Sequence, residues 1–262
     1  MLNLQIVSDL HLEFRQDRPI FNVIEKAADI LVLCGDICPC NPIDINIFKR
    51  FINEIKDKYK TILFIPGNHE YYNNPMQDRP YSIDEINIFI SDFCNETNGK
   101  LLLMINRAIV VKNKNKSYLL VGSTLWSYIA PVVAPILTHM VNDYNKIYIS
   151  SETALKPQYT TQMFMHNLAF IREMHNYATK ENIKMVLLTH HQPYIFNPKG
   201  MRSYAYMTDL TDLFDEQVIL VAHGHTHEHR ANTIKSTKIY SNPLGYPNQD
   251  CGFNRNEKIS IM

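Results

Sequence analysis

Five short apolar runs, rich in β-branched residues, recur along the chain. They do not alternate apolar with polar positions, which predicts strands that are buried on both faces. Strands of this kind are typical of sheets that carry a layer of helices or a second sheet on each side. The runs are residues 2–7, 30–34, 61–65, 185–189 and 218–222.

Between these runs, apolar residues recur at steps of three and four, which predicts amphipathic helices. Asn41 and Pro42 offer an N-cap and a proline at the first position of one helix. Ser82 and Glu85 form the capping-box pattern of a second helix, and a third apolar pattern runs over residues 164–178. Because strands and helices alternate, we expect an α/β fold.

The rest of the chain predicts further strands and one domain. A polar stretch at 112–117 is expected to be a hairpin loop between two of these strands. The 262 residues contain no internal repeat and no flexible linker, so we expect a single domain over residues 1–262. Residues 127–156 are the least regular stretch and form a candidate lid. The further strands are expected at residues 101–104, 108–111, 118–122, 231–234 and 238–241.

Each of the five buried runs ends in a cluster of glycine, aspartate, asparagine or histidine residues. In open α/β sheets, the edge at the carboxyl ends of the strands is where ligands bind. The clusters therefore predict one shared site. They are Ser8-Asp9-Leu10-His11, Gly35-Asp36, Gly67-Asn68-His69-Glu70, His190-His191 and His223-Gly224-His225-Thr226-His227.

The residue types in these clusters suit divalent metal ions. Imidazole, carboxylate and amide oxygen are ligands for borderline and hard divalent metals. Asp9 and His11 are two residues apart, so in a loop both side chains could bind one ion. One carboxylate, Asp36, could bridge two ions. Any one cluster alone is compatible with a turn or a core histidine, but five clusters at five strand ends indicate a metal centre.

The ordered motifs Asp9-x-His11, Gly35-Asp36, Gly67-Asn68-His69-Glu70, His190 and Gly224-His225-x-His227 resemble those of the calcineurin-like metallophosphoesterases over nearly the whole chain. Further segments are similar to a compact subgroup of that family found in bacteria. These are Ser8-Asp9-Leu10-His11-Leu12-Glu13-Phe14, Thr124-Leu125-Trp126, Asn142-Asp143-Tyr144 and Asn242-Pro243-Leu244-Gly245-Tyr246. The resemblance implies a four-layer αββα sandwich with two central mixed β-sheets and a dinuclear metal site at one edge.

The resemblance also implies roles for individual residues. His69 would be the general acid that protonates the leaving alkoxide, and a hydroxide bridging the two ions would be the nucleophile. His191 competes with His190 as a ligand, and we favour His190 because it follows the apolar run directly. Mn²⁺ is the first expectation for the metal, with Fe, Zn, Ni and Co as alternatives. One ion would be held by Asp9, His11, Asp36 and His227, and the other by Asp36, Asn68, His190 and His225.

Composition narrows the partners. Lys and Arg number 26, as do Asp and Glu, so the formal net charge is zero and strong nucleic-acid binding is not expected. No apolar run approaches the ~20 residues needed to span a bilayer, so no membrane association is expected. The absence of a secretory pattern before the five cysteines predicts a cytoplasmic location. Cys34, Cys38 and Cys40 could form a soft-metal cluster, but we interpret them as small buried or loop residues.

The substrate is expected to be a small phosphodiester or phosphomonoester. Protein Ser/Thr phosphatases of the family carry, after the second motif, an Asp that orients the catalytic histidine, and Pro39 stands there instead. A nuclease or a protein phosphatase remains an alternative. A non-catalytic metal-binding interaction module is a third hypothesis, although such modules have lost the histidine that His69 supplies here. Candidate residues of the substrate pocket are Trp126, Tyr128, Asn142, Asp143 and Tyr246, whose aromatic members could stack a base or belong to the core.

Overall fold

The computed structural model describes residues 1–15 and 23–261. Its strands are β1 (Leu2–Val7), β2 (Ile30–Cys34), β3 (Thr61–Ile65), β4 (Leu101–Leu103), β5 (Arg107–Asn113), β6 (Lys116–Ser123), β7 (Tyr148–Ser150), β8 (Thr153–Ala154), β9 (Lys184–Thr189), β10 (Val218–Ala222), β11 (Arg230–Ile234), β12 (Thr237–Ser241) and β13 (Ile259–Ile261). Its α-helices are α1 (Ile45–Ile55), α2 (Ile83–Glu96), α3 (Ala134–Met140), α4 (Asp143–Lys146) and α5 (Pro157–Lys180).

The strands form two mixed sheets and a small third one. The first sheet has the order β13-β1-β2-β3-β4, in which β1 to β4 are parallel and β13 is antiparallel to β1. The second has the order β11-β12-β10-β9-β6-β5, with β5 and β11 antiparallel to their neighbours at its two edges. Strands β7 and β8 pair separately.

Both faces of each large sheet are covered, which is why the predicted runs do not alternate. In β2, Val32 and Cys34 pack between the two sheets, whereas Leu31 and Leu33 face the helical layer. Helix α2 packs beside the first sheet, and α5 packs on the second. The layers are therefore helix, sheet, sheet and helix, which confirms the predicted αββα architecture.

The helix boundaries show where local pattern was sufficient and where it was not. The capping box of α2 is present: the Glu85 amide donates to Ser82 Oγ at 3.2 Å, and the Ser82 amide donates to Glu85 Oε2 at 2.9 Å. The prediction for α1 was wrong, because this helix begins at Ile45 and not at Pro42. The Asn41 side chain accepts hydrogen bonds from the amides of Ile43 and Asp44, which forms a turn before the helix.

Other predicted boundaries also shift. The hairpin loop expected over 112–117 is shorter, since β5 continues to Asn113 and β6 starts at Lys116. The third helix begins earlier, at Pro157, with the proline in its first turn. Residues 127–156 contain α3, α4 and the β7–β8 pair, so the segment is not irregular. Its action as a lid and the single-domain organisation stay predictions. In the described residues, none of the helices is both long and apolar enough to cross a membrane.

Candidate metal centre

The clusters that follow the buried strands meet at one edge of the two sheets. Several of their non-glycine residues adopt left-handed backbone conformations, with φ of 52° at Asp9, 44° at His11, 54° at Asp36, 69° at His225 and 51° at His227. Each such conformation costs of order 1–3 kcal/mol, and residues of this kind concentrate at functional sites. Here the sharp turns bring side chains from five strand ends to a common point.

Backbone hydrogen bonds hold these turns against one another. The Asp9 amide donates to the Gly35 carbonyl at 2.9 Å, and the Gly224 amide donates to the His190 carbonyl at 3.0 Å. The buried Glu70 carboxylate accepts from the amides of Asp36, Ile37 and Gly67 at 2.9, 2.7 and 2.6 Å. Glu70 thus joins the second motif to the third.

A first group of candidate ligands consists of Asp9, His11 and His227, whose ligand atoms lie within 4.8 Å of one another. His11 Nε2 lies 3.1 Å from His227 Nε2, and His227 Nε2 lies 3.4 Å from Asp9 Oδ1. Asp9 also accepts from the backbone amide of His225 at 2.9 Å through Oδ1. The first and last motifs of the chain are therefore in direct contact.

A second group consists of Asp36, His190 and His225. His190 Nε2 lies 3.0 Å from His225 Nδ1, 3.1 Å from Asn68 Oδ1 and 3.4 Å from Asp36 Oδ1. The other carboxylate oxygen, Asp36 Oδ2, lies 3.9 Å from His11 Nε2. Asp36 thus stands between the two groups with one oxygen toward each, as expected of a bridging carboxylate.

The tautomers of the histidines leave lone pairs that face one another. His190 Nδ1 lies 2.8 Å from the Cys34 carbonyl and His227 Nδ1 lies 2.7 Å from Gln249 Oε1. Carbonyl oxygens only accept, so each Nδ1 carries the hydrogen and each Nε2 presents its lone pair to the centre. Lone pairs about 3 Å apart repel in the absence of a positive charge between them. The donor set therefore fits a cation in each group.

The protonation states agree with this at His11, His190 and Asp9 but not at Asp36 and His227. Burial raises the pKa of Asp36, and the contact with Asp9 outweighs burial and raises the pKa of His227, so a bound cation would displace a proton from each. Burial lowers the pKa of His11 to about 4, against the effect of its hydrogen bond to Glu13. Burial likewise lowers the pKa of His190 to about 4. For Asp9, burial opposes ionisation, but the contact with His227 outweighs it and holds the pKa well below the ordinary value. Neutral imidazole and ionised carboxylate are the forms that bind metals.

His69 lies beside this centre with a protein partner at each ring nitrogen. Its Nδ1 is 3.0 Å from Glu13 Oε1, its Nε2 is 3.1 Å from the Tyr246 hydroxyl, and its ring stacks on Tyr72 at 4.2 Å between centroids. A third group of ligand atoms within 4.8 Å combines His69 with His11 and Asp36. Both ring nitrogens of His69 therefore have a protein partner, whereas the Nε2 atoms of His11, His190 and His227 face other candidate ligands.

Two residues of the site escaped sequence reasoning as participants: Glu13 and Gln249. Glu13 lies two positions after His11, inside a motif that had been noticed, but its contact with His69 spans 56 residues of sequence. Gln249 holds His227, and its Oε1 also accepts from the Tyr246 amide at 2.9 Å. No local pattern signals either contact.

The predicted pocket residues divide into two sets. A cavity of about 400 Å³ opens over the centre, and Asn142, Asp143 and Tyr246 line it. Asp143 also holds Asn68, whose Nδ2 donates to Asp143 Oδ1 at 2.9 Å, so that the amide oxygen turns toward His190. The Tyr72 hydroxyl donates to the same Asp143 oxygen at 2.7 Å.

Trp126 and Tyr128 are not among the residues of the described chain that line this cavity. The Trp126 ring is buried, 5.3 Å from His191 and 6.1 Å from Tyr71 between centroids, so the core alternative describes it. His191 belongs to none of the ligand groups found among the described residues: its ring lies 4.4 Å from that of His225 between centroids, and its Nδ1 lies 3.3 Å from the Thr124 carbonyl. The other lining residues include Phe196, Lys199, Arg202 and Tyr206.

Comparisons with known proteins agree with the fold and the motifs. A family model described as calcineurin-like phosphoesterase matches residues 3–229. An uncharacterized protein of Acanthamoeba polyphaga mimivirus is 30% identical over 284 residues, which covers 98% of this chain and 96% of that protein. The phosphopantetheinyl hydrolase of Mycobacterium tuberculosis superimposes with a TM-score of 0.71 at 14% identity, over 94% of this chain and 90% of its own. A Thermus thermophilus protein superimposes with a TM-score of 0.55 at 12% identity, over 94% of this chain and 89% of its own. The chain belongs to the calcineurin-like phosphoesterase family.

Proposed function

We propose that this chain is a dinuclear-metal phosphoesterase that hydrolyses small phosphodiesters or phosphomonoesters. Family membership implies divalent metal ions and phosphoester hydrolysis. The observation that supports two ions is the position of Asp36. Its two carboxylate oxygens face two separate groups of histidine nitrogens. Asp9, His11, Asp36 and His227 would hold one ion, and Asp36, Asn68, His190 and His225 the other. His190 is favoured over His191 because its Nε2 faces Asn68 and His225.

When bound, two divalent ions supply Lewis acidity and an activated water. The protein contributes only two carboxylates to the proposed ligand set, Asp9 and Asp36. Two divalent cations carry more positive charge than these carboxylates offset, so the site favours a phosphate anion and its more negative transition state. Asp143 keeps the Asn68 amide oxygen facing the second group, which leaves the amide nitrogen satisfied by the carboxylate.

His69 is proposed as the general acid. Burial disfavours its charged form, but the negative charges of Asp36 and Glu13 raise its pKa. Glu13 lies outside the proposed ligand set, so its charge stays available to His69 when ions are bound to Asp36. A histidine that holds its proton near neutral pH suits proton donation to a leaving oxygen. The proton would leave from Nε2, the nitrogen that contacts the Tyr246 hydroxyl at the cavity.

The cavity favours a small substrate. A volume of about 400 Å³ admits a phosphoester with one moderately sized group, and its lining mixes aromatic Phe196 and Tyr206 with basic Lys199 and Arg202. Lys199 Nζ lies 2.5 Å from Glu228 Oε1, so its charge is partly offset. We therefore propose that Arg202, Asn142 and Tyr246 contact the non-reacting part of the substrate.

A metal-titrated assay tests the proposal. Chelator-stripped protein is reloaded with Mn²⁺, Fe²⁺, Zn²⁺, Ni²⁺ or Co²⁺ and assayed with bis-p-nitrophenyl phosphate and p-nitrophenyl phosphate. A phosphopantetheinyl ester joins the panel because the M. tuberculosis relative bears that name. We expect metal-dependent turnover and about two ions bound per chain. Absence of turnover with every metal would favour the non-catalytic module.

A further inference from the structure

The Glu13 side chain lies between two histidines of the site. Glu13 Oε1 is 3.0 Å from His69 Nδ1 and 3.3 Å from His11 Nδ1, and the two imidazole rings meet edge to face at 4.4 Å between centroids. The Glu13 side chain is 12% exposed. One carboxylate oxygen therefore contacts both a proposed metal ligand and the proposed acid.

The backbone explains how Glu13 arrives there. The left-handed turn at His11 leads into a 3-10 turn over Leu12–Phe14. The amides of His11 and Leu12 donate to the carbonyls of Asp36 and Ile37 at 3.0 and 2.9 Å, which attaches this turn to the segment after β2. These main-chain contacts fix the Glu13 backbone beside the second motif, and from there its side chain reaches His69 of the third motif.

The position that orients the histidine in related protein phosphatases carries no carboxylate here. Pro39 occupies it and is buried. The acid is an imidazolium with a hydrogen on each ring nitrogen, and without an acceptor at Nδ1 no contact fixes which nitrogen faces the cavity. With Glu13 Oε1 at Nδ1, that nitrogen is fixed as a donor and Nε2 is directed to Tyr246 and the cavity.

We propose that Glu13 is the positioning residue for His69 and replaces the carboxylate that position 39 lacks; this inference rests on the proposed function. In the acid step the Nε2–H bond breaks and an O–H bond forms on the leaving oxygen as the P–O bond breaks and its electron pair stays on that oxygen. His69 ends neutral, with its Nδ1 hydrogen still donated to Glu13. Glu13 remains ionised and does not touch the substrate.

Because Glu13 also contacts His11, the experiment has to distinguish an effect through His69 from an effect through His11. An effect through His11 alone would weaken metal binding and slow all substrates by the same factor. An effect through His69 depends on the leaving group, since a good leaving group departs with little help from an acid. Two thymidine 5′-monophosphate esters, p-nitrophenyl and phenyl, share every atom except the nitro group and provide this contrast.

The variants are Glu13→Gln, Glu13→Asp, His69→Ala and the double variant Glu13→Gln/His69→Ala, with Glu173→Gln on the exposed face of α5 as the matched control. We expect Glu13→Gln to lower kcat for the phenyl ester by about 10²-fold and for the nitrophenyl ester only several-fold. The double variant should be no slower than His69→Ala, because Glu13→Gln impairs the same function that His69→Ala removes. Glu13→Asp, which keeps the charge, should recover part of the loss.

Two further measurements do not depend on turnover. The metal content of Glu13→Gln at saturating metal should match that of the control. In the zinc-loaded, diamagnetic protein labelled with ¹⁵N-histidine, the Nδ1–H signal of His69 should be present in the wild type and in Glu173→Gln, and shifted or lost in Glu13→Gln. A Glu13→Gln variant that slows both esters equally, or that keeps the His69 signal unchanged, would overturn the proposal. A wild type that hydrolyses neither ester but shows the Glu13-dependent signal would refute the proposed function and leave the positioning role standing.

Discussion

The metal centre and the rim of the cavity above it are built in different ways. The centre stands on the ends of buried strands, with Asp9, His11 and His190 fully buried and their turns joined by backbone hydrogen bonds. The rim comes from short helices and turns, where Met140, Phe196 and Tyr246 are partly exposed. The proposed chemistry therefore stands on buried segments joined by backbone hydrogen bonds, whereas substrate choice depends on partly exposed segments that tolerate change.

The strongest test of the centre is the loss of the carboxylate between the two ligand groups. Asp36→Asn should lower turnover by more than about 10²-fold, since even outer contacts of metal ligands cost 10–100-fold. The bound metal per chain should fall with it, as measured by inductively coupled plasma mass spectrometry. The matched control, Asp29→Asn, changes an exposed carboxylate paired with Lys26 and should leave both values unchanged. Full metal content and normal turnover in Asp36→Asn would show that Asp36 does not bridge two ions.

Loss of the proposed acid, His69, should have the next largest effect. His69→Ala should lower kcat by about 10²–10⁴-fold for esters with poor leaving groups, the usual contribution of a positioned acid. Metal content should be retained, because His69 Nδ1 and Nε2 already contact Glu13 and Tyr246. If the variant loses metal instead, then the third group of ligand atoms, which contains His69, is the functional one.

Asp143 and Asn142 are neighbours that belong to the two regions. Asp143→Ala removes the acceptor of the Asn68 amide and should weaken binding of the second ion by about 10–100-fold, as measured by metal titration. Asn142→Ala should raise KM several-fold with little change in metal affinity, because Asn142 lines the cavity and is not part of the proposed ligand set. If the two changes altered metal affinity and KM equally, the assignment of these neighbours to the centre and to the rim would be wrong.

The smallest expected effect is that of a residue outside the ligand groups and the cavity lining. Ser82→Ala removes the cap of α2 and should lower the free energy of unfolding by about 1 kcal/mol, measured by urea denaturation. Turnover at ambient temperature should not change. A rise in KM comparable to that of Asn142→Ala would show that α2 supports the rim, through the contact between Ser82 and Tyr148.

Sequence reasoning succeeded where a residue's environment depends on its near neighbours. The five buried strands and the clusters after them were predicted because apolar runs and glycine or aspartate turns are local signals. It failed for α1, where Asn41 forms a turn of its own before the helix. It also left Trp126 between two interpretations, because burial of an aromatic ring depends on what packs against it, here His191 and Tyr71.

By itself, the sequence determined the strand ends, the residue types that follow them and the family, since each depends on residue identity and spacing. Only the tertiary structure decided that Glu13 meets His69 across 56 residues and that Asp143 meets Asn68 across 75. It also directed the His190 Nε2 toward Asn68 and placed the His191 Nδ1 against the Thr124 carbonyl. Contacts between distant segments depend on how two sheets and their loops pack, and side-chain orientation is set by those contacts. The clustering of these side chains at one edge was therefore predictable from the sequence, and the hydrogen bonds that orient them were not.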